Sequence, residues 1–157
     1  MMFNAMRFVL LSSVAVWTGA LIFFTFFAAP SIFKVLPREL AGEVVGDIFP
    51  KYRSIGYVAG LLSISSLIGI SFIEKGFPFA LFILLAAMTG ITFYSGIAVA
   101  PKARALKFEM RSAEGPESKK ALEKAFKRVH AVSAVLNMAV ILLGIAVIYL
   151  MSLGLRP

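Results

Sequence analysis

Four long apolar runs, separated by stretches rich in charge, set the pattern of this chain. They cover about residues 8–29, 52–73, 77–100 and 130–153, each 22 to 24 residues long. A helix of ~20 apolar residues crosses the ~30 Å hydrocarbon core of a bilayer. Each run is therefore predicted to be a transmembrane helix. The first run carries no charge, and Arg7 before it and Ala28–Ala29 at its end invite comparison with a secretion signal. Signal cores extend over roughly 7–15 residues, so this longer stretch reads as a retained span.

The connections have patterns of their own. Pro37 is well placed to start a helix. After it Ala41, Val44, Val45, Ile48 and Phe49 recur at helical spacing, with Glu39, Glu43 and Asp47 on the opposite side. Pro50 is expected to end this short amphipathic helix, which is too short to span and should lie at the membrane surface or pack under the bundle. Glu74–Lys75–Gly76 forms a tight turn, and Pro78 opens the third span. Residues 101–129 are the most polar. Ala103, Leu106, Met110 and Ala113, then Leu122, Phe126 and Val129, keep helical spacing around a turn at Glu114–Gly115–Pro116. They predict a helical hairpin continuous with spans three and four, with Glu123 and Lys127 in the favourable order four apart. No internal repeat or low-complexity segment is evident. The expected fold is all-α: a four-transmembrane-helix bundle with a short amphipathic helix in the first loop and a cytoplasmic helical hairpin between spans three and four. Residues 1–157 make a single integral membrane domain.

Composition sharpens this picture. Hydrophobic residues make up 60% of the chain and the mean hydropathy is +0.91, whereas soluble domains are ~45–50% apolar. The absence of cysteine excludes disulfides, thiolate metal sites and cysteine nucleophiles. A single histidine excludes a multi-histidine site within one chain. The net charge of +8 would suggest nucleic acid in a soluble protein, but no aromatic platform or motif supports that partner. Basic residues of membrane proteins gather on the cytoplasmic side and face anionic lipid. Here 13 of the 16 Lys and Arg fall in the first and third connections, against Arg7, Lys75 and Arg156 on the other side. Both termini are predicted outside, in an orientation that fits a bacterial inner membrane. The expected partners are the lipid bilayer and anionic lipid at the cytoplasmic face.

Ionisable groups inside a span mark function by default. Their near absence weighs against a proton pump or a charged-substrate transporter. The fourth span is the exception: His130, Ser133 and Asn137 lie on one helical stripe, with Asn137 about 10 Å deeper at ~1.5 Å per residue. Lipid offers an asparagine no partner, so it serves either interhelical hydrogen bonding or a polar pocket with His130 as ligand, proton acceptor or gate. Trp17 sits mid-span, away from the interfacial belt, and is expected inside the bundle. The candidate pocket is Trp17, Arg38, Tyr52, His130, Ser133 and Asn137, with Arg38 and Tyr52 closing its cytoplasmic end. Glu39, Glu43 and Asp47 form an acidic ridge, a candidate cation site or a solvated helix face paired with nearby bases. Small residues four apart, Ala15 with Gly19, Gly56 with Gly60 and Ala86 with Gly90, let helices approach closely. They serve packing within the bundle or a homo-oligomer, the first being more economical.

Several of these residues carry a family resemblance: Trp17–Thr18–Gly19, Phe33 with Leu36–Pro37–Arg38, Gly42, Gly46, Phe49–Pro50–Lys51–Tyr52, Pro101, His130–Ala131–Val132–Ser133 and Asn137. In this order and against this hydropathy, the chain resembles the transmembrane protein 205-like family, an uncharacterised four-span membrane domain. The resemblance implies four spans with polar cytoplasmic connections. A looser kinship to copper-resistance-type and haem-pathway bundles implies metal or haem handling, for which His130 is the sole histidine ligand present. Two readings of function follow. One is binding or passage of a small solute or metal species through a pocket between helices. The other is a non-catalytic scaffold docking a cytoplasmic partner or anionic lipid through the basic hairpin. An enzyme is the weakest reading, because only His130 and the loop carboxylates offer acid–base groups and no cofactor motif is evident.

Overall fold

The computed structural model describes residues 1–153, so Arg156 of the charge count lies outside the described residues. Four helical rods, Met2–Val35, Arg38–Glu74, Phe79–Ser112 and Pro116–Leu153, are each long and apolar enough to cross a membrane. At ~1.5 Å per residue such rods reach roughly 50–57 Å, well beyond a ~30 Å hydrocarbon core. Most of the excess lies toward the two polar turns at residues 36–37 and 113–115. That end is the hairpin end; the opposite one is the terminal end.

Two of the rods are interrupted. The first comprises α1 (Met2–Phe23), a π-helical segment Phe24–Ala28 and α2 (Ala29–Val35). The return rod is α3 (Arg38–Glu74). The third comprises α4 (Phe79–Tyr94), a π-helical segment Ser95–Val99 and α5 (Ala100–Ser112), and α6 (Pro116–Leu153) returns unbroken. Both π segments run directly into Ala-Pro, Ala29–Pro30 and Ala100–Pro101. Proline provides no N–H and its ring crowds the carbonyl four residues back. Widening the preceding turn by one residue relieves both conflicts. The same device thus occurs once in each hairpin. The two segments, Phe24–Ala28 and Ser95–Val99, share little in sequence beyond their alanines.

The separate surface helix expected over residues 37–50 is not formed. Those residues are the opening turns of α3, which continues through Pro50. The proline removes one helical bond and presses toward the carbonyl of Gly46. Contacts across the hairpin end offset this. Ala41 is fully buried, Lys107 Nζ donates to the Gly42 carbonyl at 3.1 Å, and Arg111 pairs with Glu43. A face that looked suited to lipid headgroups is held instead against α2 and side chains of α5.

The rods form an antiparallel ring. α1 packs on α3 and α6, and α4 packs on the same two, so α1 and α4 stand across one diagonal and α3 and α6 across the other. Leu10, Val14, Trp17 and Leu21 of α1 meet Ala59, Leu67 and Ile70 of α3, Leu85 and Met88 of α4, and Val140, Ile141 and Val147 of α6. Two glycines allow close approach: a Cβ at Gly60 would lie 2.7 Å from Thr89 Oγ1, and Gly144 faces Thr18 Oγ1 in the same way. Outside the ring Phe23, Phe72, Ile83, Leu142 and Tyr149 stand exposed. In water so much apolar surface would drive association; in lipid it is the ordinary outer face of a bundle. Gly19 and Gly90 are also on this outer face, with nothing within 4 Å of an added Cβ, whereas Gly56 and Gly60 are buried between rods.

Candidate functional site

Between the rods lies a small, partly open cavity of ≈ 20 Å³, lined by all four of them. α1 supplies Trp17 and Leu21; α3 supplies Phe49, Tyr52, Arg53 and Gly56. Ile91 and Thr92 come from α4 and Ser95 from the π segment after it, and α6 gives Leu136, Asn137 and Val140. A space of this size holds about one water molecule.

Local sequence explains how each wall is presented. On α3 the stripe Phe49, Tyr52/Arg53, Gly56, Gly60 runs at helical spacing toward the ring interior, and its glycines leave room for neighbours. Trp17 is only 2% exposed, and its Nε1 would be 2.9 Å from a Cβ at Gly56. Beside it Thr92 bonds back to the Met88 carbonyl at 2.9 Å, which settles its proton within its own helix. Gly96, in the second π segment, clears the way for α3 side chains: a Cβ there would lie 2.8 Å from Arg53 Cδ and would collide with the Tyr57 hydroxyl. Tyr57 is fixed in that place by stacking on Phe93, ring centroids 4.5 Å apart.

An aromatic cluster closes the cavity toward the hairpin end. Phe24 stacks on Tyr52 at 5.1 Å and meets Phe49 edge-on at 5.3 Å, and Phe49 meets Tyr52 edge-on at 5.8 Å. Phe24 belongs to the first π segment. The two π segments thus lie on diagonally opposite rods, one placing Phe24 behind Tyr52 and the other bringing Ser95 to the cavity wall. The Tyr52 hydroxyl faces the Asn137 amide but is buried without a well-formed hydrogen bond.

Of the six pocket residues expected from sequence, Trp17, Tyr52 and Asn137 line this cavity and Arg38, His130 and Ser133 do not. Arg38 is exposed at the start of α3. His130 is exposed on α6, its ring nearly parallel to Phe126 at 6.2 Å. Ser133 is half-buried one turn nearer the cavity. The sequence reading missed Arg53, Thr92 and Ser95. It counted Arg53 among the loop charges, yet its place three residues before Gly56, on the face of the Gly56–Gly60 stripe, was a usable signal.

The acidic residues are spread along the exposed side of α3. Glu43 accepts from Arg111 Nη2 at 2.6 Å and Asp47 from Lys51 Nζ at 2.6 Å. All four side chains are more than half exposed, so each pair contributes ~0–1 kcal/mol. Among the described residues no three His, Asp or Glu side chains are grouped to hold a metal ion.

Four apolar rods with a lipid-suited exterior and a small cavity between them define an integral membrane protein of the helical-bundle class. Within that class the chain belongs to the family described as a domain of unknown function, DUF4149, whose pattern matches residues 12–112. It is also similar to an uncharacterized protein of Aquifex aeolicus (strain VF5), 31% identical over 125 residues, covering 77% of each chain. No solved structure matches it.

Proposed function

We propose that this is a solute-binding membrane protein whose ligand, a small polar molecule, sits in the cavity between the four rods and exchanges toward the hairpin end. The observation that carries this reading is that every rod contributes at least one polar side chain to the lining of the same small space: Trp17, Arg53, Ser95 and Asn137 among them. In hydrocarbon surroundings buried polar groups are costly unless satisfied. Four rods converging theirs on a water-sized space is economical if something polar occupies it. The aromatic cluster of Phe24, Phe49 and Tyr52 acts as the gate, and the π segments beside it are the proposed flexing points, since such bulges break the regular bonding ladder.

The hairpin end is read as cytoplasmic, supported by the concentration of Lys and Arg there. The membrane is read as a bacterial inner membrane, supported by the Aquifex relative. The narrower kinship to the transmembrane protein 205-like family rests on the ordered motifs around Trp17, Pro37, Pro50 and Asn137.

Because the chain has no cysteine, single-cysteine variants test the cavity cleanly. Asn137→Cys in otherwise native protein should react with a small water-soluble methanethiosulfonate, and Val147→Cys, fully buried in the core, should not. Equal protection of both would remove the hydrated cavity and the solute reading with it.

A second reading has its own observation. Lys119, Lys120, Lys124, Lys127 and Arg128 all stand exposed on α6, which suits docking to anionic lipid or an acidic partner. Changing these five to Gln should weaken retention on anionic over neutral vesicles if that surface is the working one.

A further inference from the structure

We infer that the cavity ligand is an anion, specifically a carboxylate, and that Arg53 is its counter-charge; this rests on the solute-binding reading above. Arg53 lines the cavity, within electrostatic reach of the Tyr52 hydroxyl, and its stem passes over the bare Cα of Gly96. The ion pairs among the described residues are Lys51–Asp47 and Arg111–Glu43, and neither uses Arg53. No Asp or Glu lines the cavity, and the four apolar runs contain none. A guanidinium half-buried against membrane helices without a counter-ion is costly, and the ligand is the group left to neutralise it.

The neighbouring groups fit the same sign. The Trp17 indole can only donate, and the Tyr52 hydroxyl and Asn137 amide each have protons to donate. Thr92 has already spent its proton on the Met88 carbonyl. The planar fork of Arg matches two oxygens in one plane. A carboxylate, planar and singly charged, is matched by one guanidinium, whereas a tetrahedral phosphate carries more charge than Arg53 alone neutralises. The charged end of the ligand enters and any remaining chain trails along the rods. Sequence alone argued against charged substrates because the spans hold almost no ionisable groups; for an anion, the half-buried Arg53 at the mouth of the cavity is the relevant group.

Trp17 is the sole tryptophan, so its emission reports on this site alone. The full chain, purified in uncharged detergent, is titrated at constant ionic strength with acetate, octanoate, acetamide, octanol and inorganic phosphate. A saturable change with a carboxylate and none with its neutral isostere is expected. Arg53→Gln should weaken that response at least tenfold and Arg53→Lys less, both variants keeping the native elution profile and helical circular dichroism. Response to octanoate alone identifies an amphiphile drawn from the bilayer, and response to acetate as well identifies a free small solute; both support the inference. Neutral isosteres matching the carboxylates with Arg53→Gln silent, or phosphate outbinding acetate, would overturn it. So would silence from every titrant while Asn137→Cys remains reactive, which would leave the hydrated cavity standing without a carboxylate.

Discussion

The indole of Trp17 rests on the bare backbone of Gly56: a Cβ there would lie 2.9 Å from Nε1 and 3.0 Å from the Thr92 methyl. Three rods therefore meet at a point where one of them has no side chain. Adding a methyl group forces the indole or α4 to shift. Gly56→Ala is expected to destabilise the bundle by ~1–3 kcal/mol, the range for overpacking, and to move Trp17 emission. Gly19→Ala, where nothing lies within 4 Å, should be neutral or stabilising by up to ~1 kcal/mol. Thermal unfolding in detergent of the two variants side by side checks the contrast, and equal behaviour would mean that the rods are not packed as described.

The placement of His130 makes a separate prediction. It is exposed and touches Phe126, while Asn137 lines the cavity. His130→Ala should leave stability within ~0.5 kcal/mol and leave the Trp17 response to ligands unchanged. Asn137→Ala should weaken that response severalfold. The opposite ranking would return His130 to the site.

The tie between Arg111 and Glu43 joins the two hairpins at 2.6 Å, but both side chains are more than half exposed. Its removal in Arg111→Ala should lower stability by less than ~1 kcal/mol. The Lys107 bond to the Gly42 carbonyl is less exposed, and Lys107→Met should cost more than Arg111→Ala. Denaturation of the two variants under one set of conditions decides the order.

Orientation is open to the same cysteine-free background. Ser118→Cys, on the hairpin end, should label with a membrane-impermeant maleimide only after permeabilisation of cells. Lys75→Cys, in the turn at the terminal end, should label in intact cells. Reversal of the two would place the hairpins outside and undo the argument from basic residues.

The proline-linked π segments allow one more check. Pro101→Ala restores an N–H and removes the ring that crowds Ile97, so the π turn loses its cause. Gly96 would then rotate relative to Arg53 and Tyr57, which lie over it. The expected result is a Trp17 emission change in the empty protein, with helical content unchanged.

Much of the architecture was legible in the chain. Runs of 22 to 24 apolar residues admit few structures other than spanning helices, because lipid satisfies no backbone polar group and each segment must satisfy its own. The mid-span position of Trp17 and the depth of Asn137 were legible for the same reason. Helical periodicity also revealed the face carrying Ala41, Val44 and Val45, but it was silent on what that face meets. Packing against α2, with the ties from Lys107 and Arg111 of α5, accompanies residues 38–50 as the first turns of α3 despite Pro50. Likewise nothing local separates Arg53, inside the ring, from Arg38, outside it. Which way a side chain at the mouth of a span turns depends on the space its neighbours leave, here the missing side chain of Gly96 on another rod. Hydropathy along one helix thus determined what crosses the membrane, while the arrangement of four helices around one another decided which polar groups share the cavity.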